Sequence, residues 1–148
     1  MLQSKPYIPE DTPKTSLTTW ERYTPLTLDQ IINNCSQRLD FEDENIEYKV
    51  IESVNCVITG QFLKGTQIAQ GVARRVFIKG KYGGQIQEGI FKNGKLDGYG
   101  RTCYEDGDFY VGNFRHGERH GQGLYVKAAT DGKNEKQLKG LFKGGQYV

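Results

Sequence analysis

A chain of 148 residues and 16.8 kDa is one domain's worth of protein, which excludes most two-domain enzyme architectures. Hydrophobic residues make up only 36% while glycine reaches 19 of the 148, so the composition points to a thin, turn-rich structure rather than a deep core. The net charge of +2 hides two halves of opposite sign: residues 1–56 hold five Lys/Arg against ten Asp/Glu (−5), and residues 57–148 hold fifteen against eight (+7), so the basic half suits an acidic partner or the chain's own acidic half.

Cys35, Cys56 and Cys103 are odd in number and lack paired C-x-x-C spacing, which encodes neither a disulfide framework nor a zinc knuckle. The opening Met-Leu-Gln-Ser-Lys-Pro has no apolar signal-peptide core, and no apolar run is long enough to span a bilayer. A soluble protein of a reducing, intracellular compartment is expected, with an organellar assembly left open. Asn34-Cys35-Ser36 matches a glycosylation sequon, which without a secretion signal reads as chance.

All four prolines lie at or before Pro25 and all glycines at or after Gly60. Residues 1–25, with Pro6, Pro9, Pro13 and Pro25, read as an extended arm that cannot sustain a helix. Leu28, Ile31, Ile32, Cys35 and Leu39 then follow the period of an amphipathic helix over about 28–39. Thr27 and Gln30 stand in the spacing of a capping box. The helix is expected to pack on the repeats that follow, with a partner-docking helix as the alternative, and the acidic run Asp40–Glu44 closes it. The first domain is thus an arm with one helix, residues 1–56, and the second is a repeat array, residues 57–148.

Within the array, Gly89, Phe91, Gly94, Gly98 and Gly100 return 23 positions later as Gly112, Phe114, Gly117, Gly121 and Gly123. Gly107 has its counterpart in Gly132, two residues late. An earlier copy places Gly60, Phe62, Gly65, Ala69, Gly71 and Gly80 in this frame, and a partial last copy offers Gly140, Phe142 and Gly145. The units run over about 58–86, 87–109, 110–137 and 138–148. Each reads as two short strands. In Tyr110-Val111-Gly112-Asn113-Phe114 the two rings share a face with a glycine between them, and Asn93-Gly94, Asp106-Gly107 and Asp131-Gly132 are turn signals. Stacked units would align Phe62, Phe91, Tyr110, Phe114 and Phe142 as a narrow aromatic core. The expected fold is mainly β, a single-layer antiparallel meander of hairpin repeats, with strand Leu138–Phe142 left as an open edge.

Tyr110-Val-Gly-Asn-Phe-Arg-His-Gly-Glu-Arg-His-Gly-Gln-Gly-Leu-Tyr125 resembles the MORN repeat, whose pattern is approximately Y-x-G-x-W/F-x-x-G-x-x-H-G-x-G. Gln87-Glu-Gly-Ile-Phe-Lys-Asn-Gly-Lys-Leu-Asp-Gly-Tyr-Gly100 departs at Gln87 and Asp97 but keeps every glycine. The resemblance implies a scaffold of the kind found in ciliary radial spokes, membrane junctions and cortical cytoskeleton. It brings no catalytic residues.

No catalytic constellation stands beside it, and an enzyme is not expected. Gly80-Lys-Tyr-Gly-Gly84 lacks the closing G-K-[ST] of a phosphate loop and reads as a linker. His116 and His120 sit in a hairpin rather than on a helix, so no metal is expected there. With Lys92, Lys95, Arg115 and Arg119 they form a candidate binding face for carboxylates or phosphates. Nucleic acid is argued against because the aromatics are needed in the core. The expected role is therefore a cofactor-free scaffold or adaptor joining other protein subunits, cytoskeletal or axonemal in setting. The alternative is a peripheral adaptor that meets anionic lipid through Lys64, Lys92, Lys95, Arg115, Arg119 and Lys143.

Overall fold

The computed structural model describes residues 24–37, 39–129 and 134–148. The arm up to residue 23 and the Asp131-Gly132 turn lie outside the described residues. The chain folds as the sequence predicts, into one open antiparallel meander in which nine strands pair in chain order. They are β1 Ile46–Glu52, β2 Cys56–Leu63, β3 Ala69–Phe77, β4 Ile86–Lys92, β5 Lys95–Cys103, β6 Phe109–Arg115, β7 Glu118–Lys127, β8 Lys136–Lys143 and β9 Gln146–Tyr147. A single helix, α1 Leu28–Asn34, precedes them.

The repeat shapes the sheet through a row of glycines. Gly60 faces Ala73, Gly89 faces Gly100, and Gly112 faces Gly123 and, beyond it, Gly140. Facing strands approach so closely here that a Cβ on Gly112 would stand 2.5 Å from Gly123 Cα and 2.6 Å from the Gln122 carbonyl oxygen. Beside each first-strand glycine the register shifts by a bulge, at Gly60/Phe62, Gly89/Phe91 and Gly112/Phe114. The bare row leaves room for rings: Tyr110 lies edge-on to Phe114 at 5.0 Å and to Phe142 at 4.8 Å. Its hydroxyl donates to the Asn113 carbonyl at 2.8 Å. With Phe62, Ala69, Ala73, Phe91 and Leu96 these rings form one buried cluster, which defines the aromatic face of the sheet.

The opposite face is covered by residues 24–37 and by Leu39. Leu26 and Ile31 are buried there against Val72 and Ile90, with Cys35, Leu39 and Tyr99 packed alongside. The Thr27–Gln30 capping box forms in full. The helix does not run to residue 39, however. It stops at Asn34, where Cys35 turns extended and its N–H closes on the Ile31 carbonyl at 3.0 Å. Asn, Cys and Ser are weak helix formers, and past Cys35 tertiary contacts decide the path. Gln37 reaches over to bond the Asp97 carbonyl, and Leu39, outside the helix, packs against the cluster. Leu28 and Ile32, part of the expected apolar stripe, are consequently exposed.

Three further details depart from the sequence reading. The sheet begins at Ile46, not at residue 57, because Ile46–Glu52 pairs without interruption along β2. The two extra residues of the first unit lie in the Leu63–Ile68 turn rather than before Gly80. Ala73, not Gly71, therefore occupies the position of Gly100 and Gly123. Finally, the edge at Leu138–Phe142 is partly closed: β9 pairs with Phe142 and Lys143, and the Val148 N–H donates to the Leu141 carbonyl at 2.9 Å.

Candidate functional site

In a meander every second turn lies at the same end of the sheet, and the four turns from even to odd strands share one rim. Three of them are tight because both central residues take positive φ: Asn93 and Gly94 at 52° and 83°, His116 and Gly117 at 52° and 84°, Gly144 and Gly145 at 58° and 83°. His116 is thus a turn residue, standing where Asn93 stands one hairpin earlier. Each turn carries a base at its shoulder: Lys64, then Lys92 and Lys95, then Arg115, then Lys143, all exposed. Successive turns are two strands apart, so the charges recur about every 10 Å. The acidic run Asp40–Glu44 sits at the same end, beside Lys64, whose N–H donates to the Asn45 carbonyl. The rim is therefore acidic at its β1 corner and mainly basic along the rest, where Glu118 stands opposite Arg115.

Four of the six residues of the expected binding face meet in one depression at that rim. Lys92, Arg115, His116 and His120 line an open depression of about 590 Å³ together with Gln37 and Asp97. Asp97 accepts the His116 N–H at 3.1 Å and stands 3.7 Å from the His116 imidazole, so it balances part of the positive charge. Such a set offers hydrogen-bond donors and positive charge to a carboxylate or phosphate. Lys95, on the same rim, lines a smaller neighbouring hollow of about 270 Å³ that shares His116.

Arg119 has to be removed from the binding face. Its guanidinium is stacked over Tyr125 at 5.0 Å and over Phe142 and Tyr110 at 5.9 and 6.0 Å, and it donates to the Gly145 carbonyl. An arginine held among three rings roofs the core rather than reaching a ligand. Arg75 plays the same part farther along, over Phe91 at 5.3 Å and Phe77 at 5.8 Å, and its burial lowers its pKa. Lys49 covers Phe62 at 5.4 Å. Burial also pushes the Tyr110 phenol up to about 12.

Sequence reasoning missed the polar centre under the covering segment. Glu88 is fully buried and receives Arg74 Nε at 3.2 Å, Arg101 Nε at 3.0 Å and the Leu26 N–H at 2.9 Å. Arg101 also donates to the Thr24 carbonyl. The signal available was Glu88 inside Ile86–Phe91, a charge placed within an otherwise buried strand. Among the described residues no group of three His, Cys, Asp or Glu side chains could hold a metal ion. No helix among them is long and apolar enough to cross a membrane.

With this geometry in view, the comparisons place the repeat. Residues 88–109 and 110–129, the span from β4 to just past β7, each match the model of the MORN repeat. That repeat belongs to a non-enzymatic family of protein-interaction or membrane-binding modules. No curated protein matches the chain.

Proposed function

We propose, from MORN repeats at residues 88–109 and 110–129, that this chain is a non-catalytic scaffold or adaptor subunit of a larger intracellular protein assembly. The finer setting proposed is the cytoskeleton, with the ciliary axoneme and its radial spokes as the site to search first. The observation that carries the reading is where apolar surface is left open. Tyr48, Val50 and Val54 are 44%, 57% and 74% exposed on and beside β1, and Leu138, Leu141 and Tyr147 are 45%, 53% and 47% exposed on β8 and β9. Apolar side chains gathered at both end strands of a sheet suit protein partners. The test is affinity purification of the tagged protein from its native cells with washes at moderate salt. A stoichiometric set of other subunits supports the reading; recovery of the protein alone sinks it.

The basic rim favours a second reading, a peripheral adaptor on anionic lipid. Lys64, Lys92, Lys95, Arg115 and Lys143 project from turns at one end and could meet a flat charged surface together, each contributing at most about 1 kcal/mol. Sedimentation with phosphatidylserine vesicles, with and without Lys92→Glu/Arg115→Glu, separates the two. Binding that the double variant abolishes, while co-purifying subunits remain, assigns the rim to lipid and the end strands to protein.

A further inference from the structure

The face that carries the covering segment has a second apolar row beside the one under α1. Strand register sets Val76, Ile86, Cys103, Phe109 and Val126 side by side across β3 to β7. Each lies two residues along its strand from Arg74, Glu88, Arg101, Val111 or Leu124, so the row shares the face of the buried carboxylate.

The row is closed to water. Ile86 is 0% exposed, Val126 2% and Cys103 8%, and desolvation pushes the Cys103 thiol up to about 11. Among the described residues the apolar side chains packed against Ile86 and Cys103 are those of Val76 and Phe109, which belong to the row itself. Neighbours in a single sheet shield one another only from the side, because side chains stand roughly perpendicular to it. The cover has to come from off the sheet. Leu26 and Ile31 do not supply it, since they pack against Val72 and Ile90 in the adjoining cluster.

The path of the chain says which segment does. The Thr24 carbonyl accepts from Arg101, two residues before Cys103 on β5, and the Leu26 N–H donates to Glu88, two residues after Ile86 on β4. From there the segment runs on to Val72 on β3. Residues before Thr24 thus reach β5 already above this face. Extended chain covers about 3.3 Å per residue and strands stand about 4.8 Å apart, so three or four residues span the width from β5 to β7. The run that ends there is Leu17-Thr-Thr-Trp-Glu-Arg-Tyr23, which holds the chain's single tryptophan. A tethered segment also meets the row at an effective concentration that a separate molecule would have to match.

We infer that residues 17–23 lie across the row formed by Ile86, Cys103 and Phe109, with Trp20 as the side chain that closes it. This strap and α1 together shut the face from β3 to β6 and leave the rim and the end strands to partners. The contact is made within one chain and holds whether or not the scaffold reading does.

The experiment uses two reporters in the full chain carrying Cys35→Ser/Cys56→Ser, which keeps Cys103 as its one thiol. Trp20 fluorescence is quenched with acrylamide, and Cys103 is alkylated with iodoacetamide under native conditions. Trp20 should be shielded relative to the same chain in urea, and Cys103 should react slowly. Trp20→Ala should speed the alkylation about tenfold or more, because the thiol gains access and a lower pKa together. Thr27→Ala, which loosens α1 and not the strap, should leave the rate close to that of the parent. Quenching of Trp20 as free in the native chain as in urea overturns the inference. So does alkylation that Trp20→Ala leaves unchanged, or that Thr27→Ala accelerates as much. Cys103 alkylated at the rate of the unfolded chain would mean that the row waits for another molecule, which overturns it as well. If Trp20→Ala does not fold, Cys103→Ser takes its place: a thiol quenches an indole on contact, so Trp20 emission should brighten, and unchanged emission sinks the strap.

Discussion

The two faces of the sheet are held by opposite means. The aromatic face is periodic: each hairpin contributes a close-approach glycine pair, or Gly60 with Ala73, and a ring, and the cations Lys49, Arg75 and Arg119 roof the row. The covered face is singular, with one helix, one buried carboxylate and two arginines that occur once in the chain. A periodic face tolerates loss of a member according to how tightly its neighbours close around it. A singular one stands or falls with its central charge. Variants on each face test that distinction.

The largest effect is expected on the covered face. Glu88→Ala removes the buried carboxylate that Arg74 and Arg101 share and the acceptor of the Leu26 N–H, which should cost about 3–5 kcal/mol in urea unfolding. Hydrogen exchange should accelerate at Leu26 and through α1 first, since the covering segment is attached by these bonds. Uniform acceleration across the sheet would contradict the idea of a separately held face.

On the aromatic face, Gly112→Val should cost about 3 kcal/mol, because its Cβ has backbone atoms of β7 in its way and φ there is 152°. Gly94→Ala tests the contrast, since nothing lies within 4 Å of its Cβ and only the left-handed φ of 83° opposes it, at about 1–2 kcal/mol. Equal costs at the two sites would mean that strand approach contributes nothing.

How far the sequence could be read follows the same division. The glycine spacing and the ring positions announce the meander because each recurs at Gly89, Gly112 and Gly140, and a period is visible in one sequence. Lys92, Arg115, His116 and His120 lie together because alternate turns of a meander share one rim. Arg119 was misplaced because charge alone does not reveal whether a guanidinium faces water or stacks on rings. Glu88, Arg74 and Arg101 went unread because they meet only through strand register, and Tyr48 and Val50 because β1 lacks the glycine that marks the other repeats. The length of α1 was overestimated for a related reason: Leu39 lies on the helical period yet reaches its cluster from beyond the helix, which ends at Asn34.

A smaller effect appears with pH. The Tyr110 phenol, pushed by burial to about 12 from an ordinary value near 10, stays protonated in the folded chain where the unfolded chain has already lost its proton. Its contribution to stability is whole below pH 10 and is lost as pH rises through about 12. Tyr99, Tyr104 and Tyr125 are shifted upward too, so stability should fall between these limits. Tyr110→Phe should flatten that fall in thermal melts, though it also forfeits the hydrogen bond to Asn113. An unchanged slope would show that other tyrosines carry it.

The smallest effect separates the helix from the bonds that attach it. Thr27→Ala removes the side chain that accepts the Gln30 N–H at 3.1 Å and opens the capping box, at a cost of about 1 kcal/mol to a helix of 7 residues. Because Leu26 remains buried and bound to Glu88, exchange should quicken within α1 while the Leu26 amide stays protected. The difference between the two positions is the quantity to measure. If Leu26 loses protection together with α1, helix and anchor open as one unit, and the covered face is a single cooperative lid rather than an anchored segment with a helix added to it.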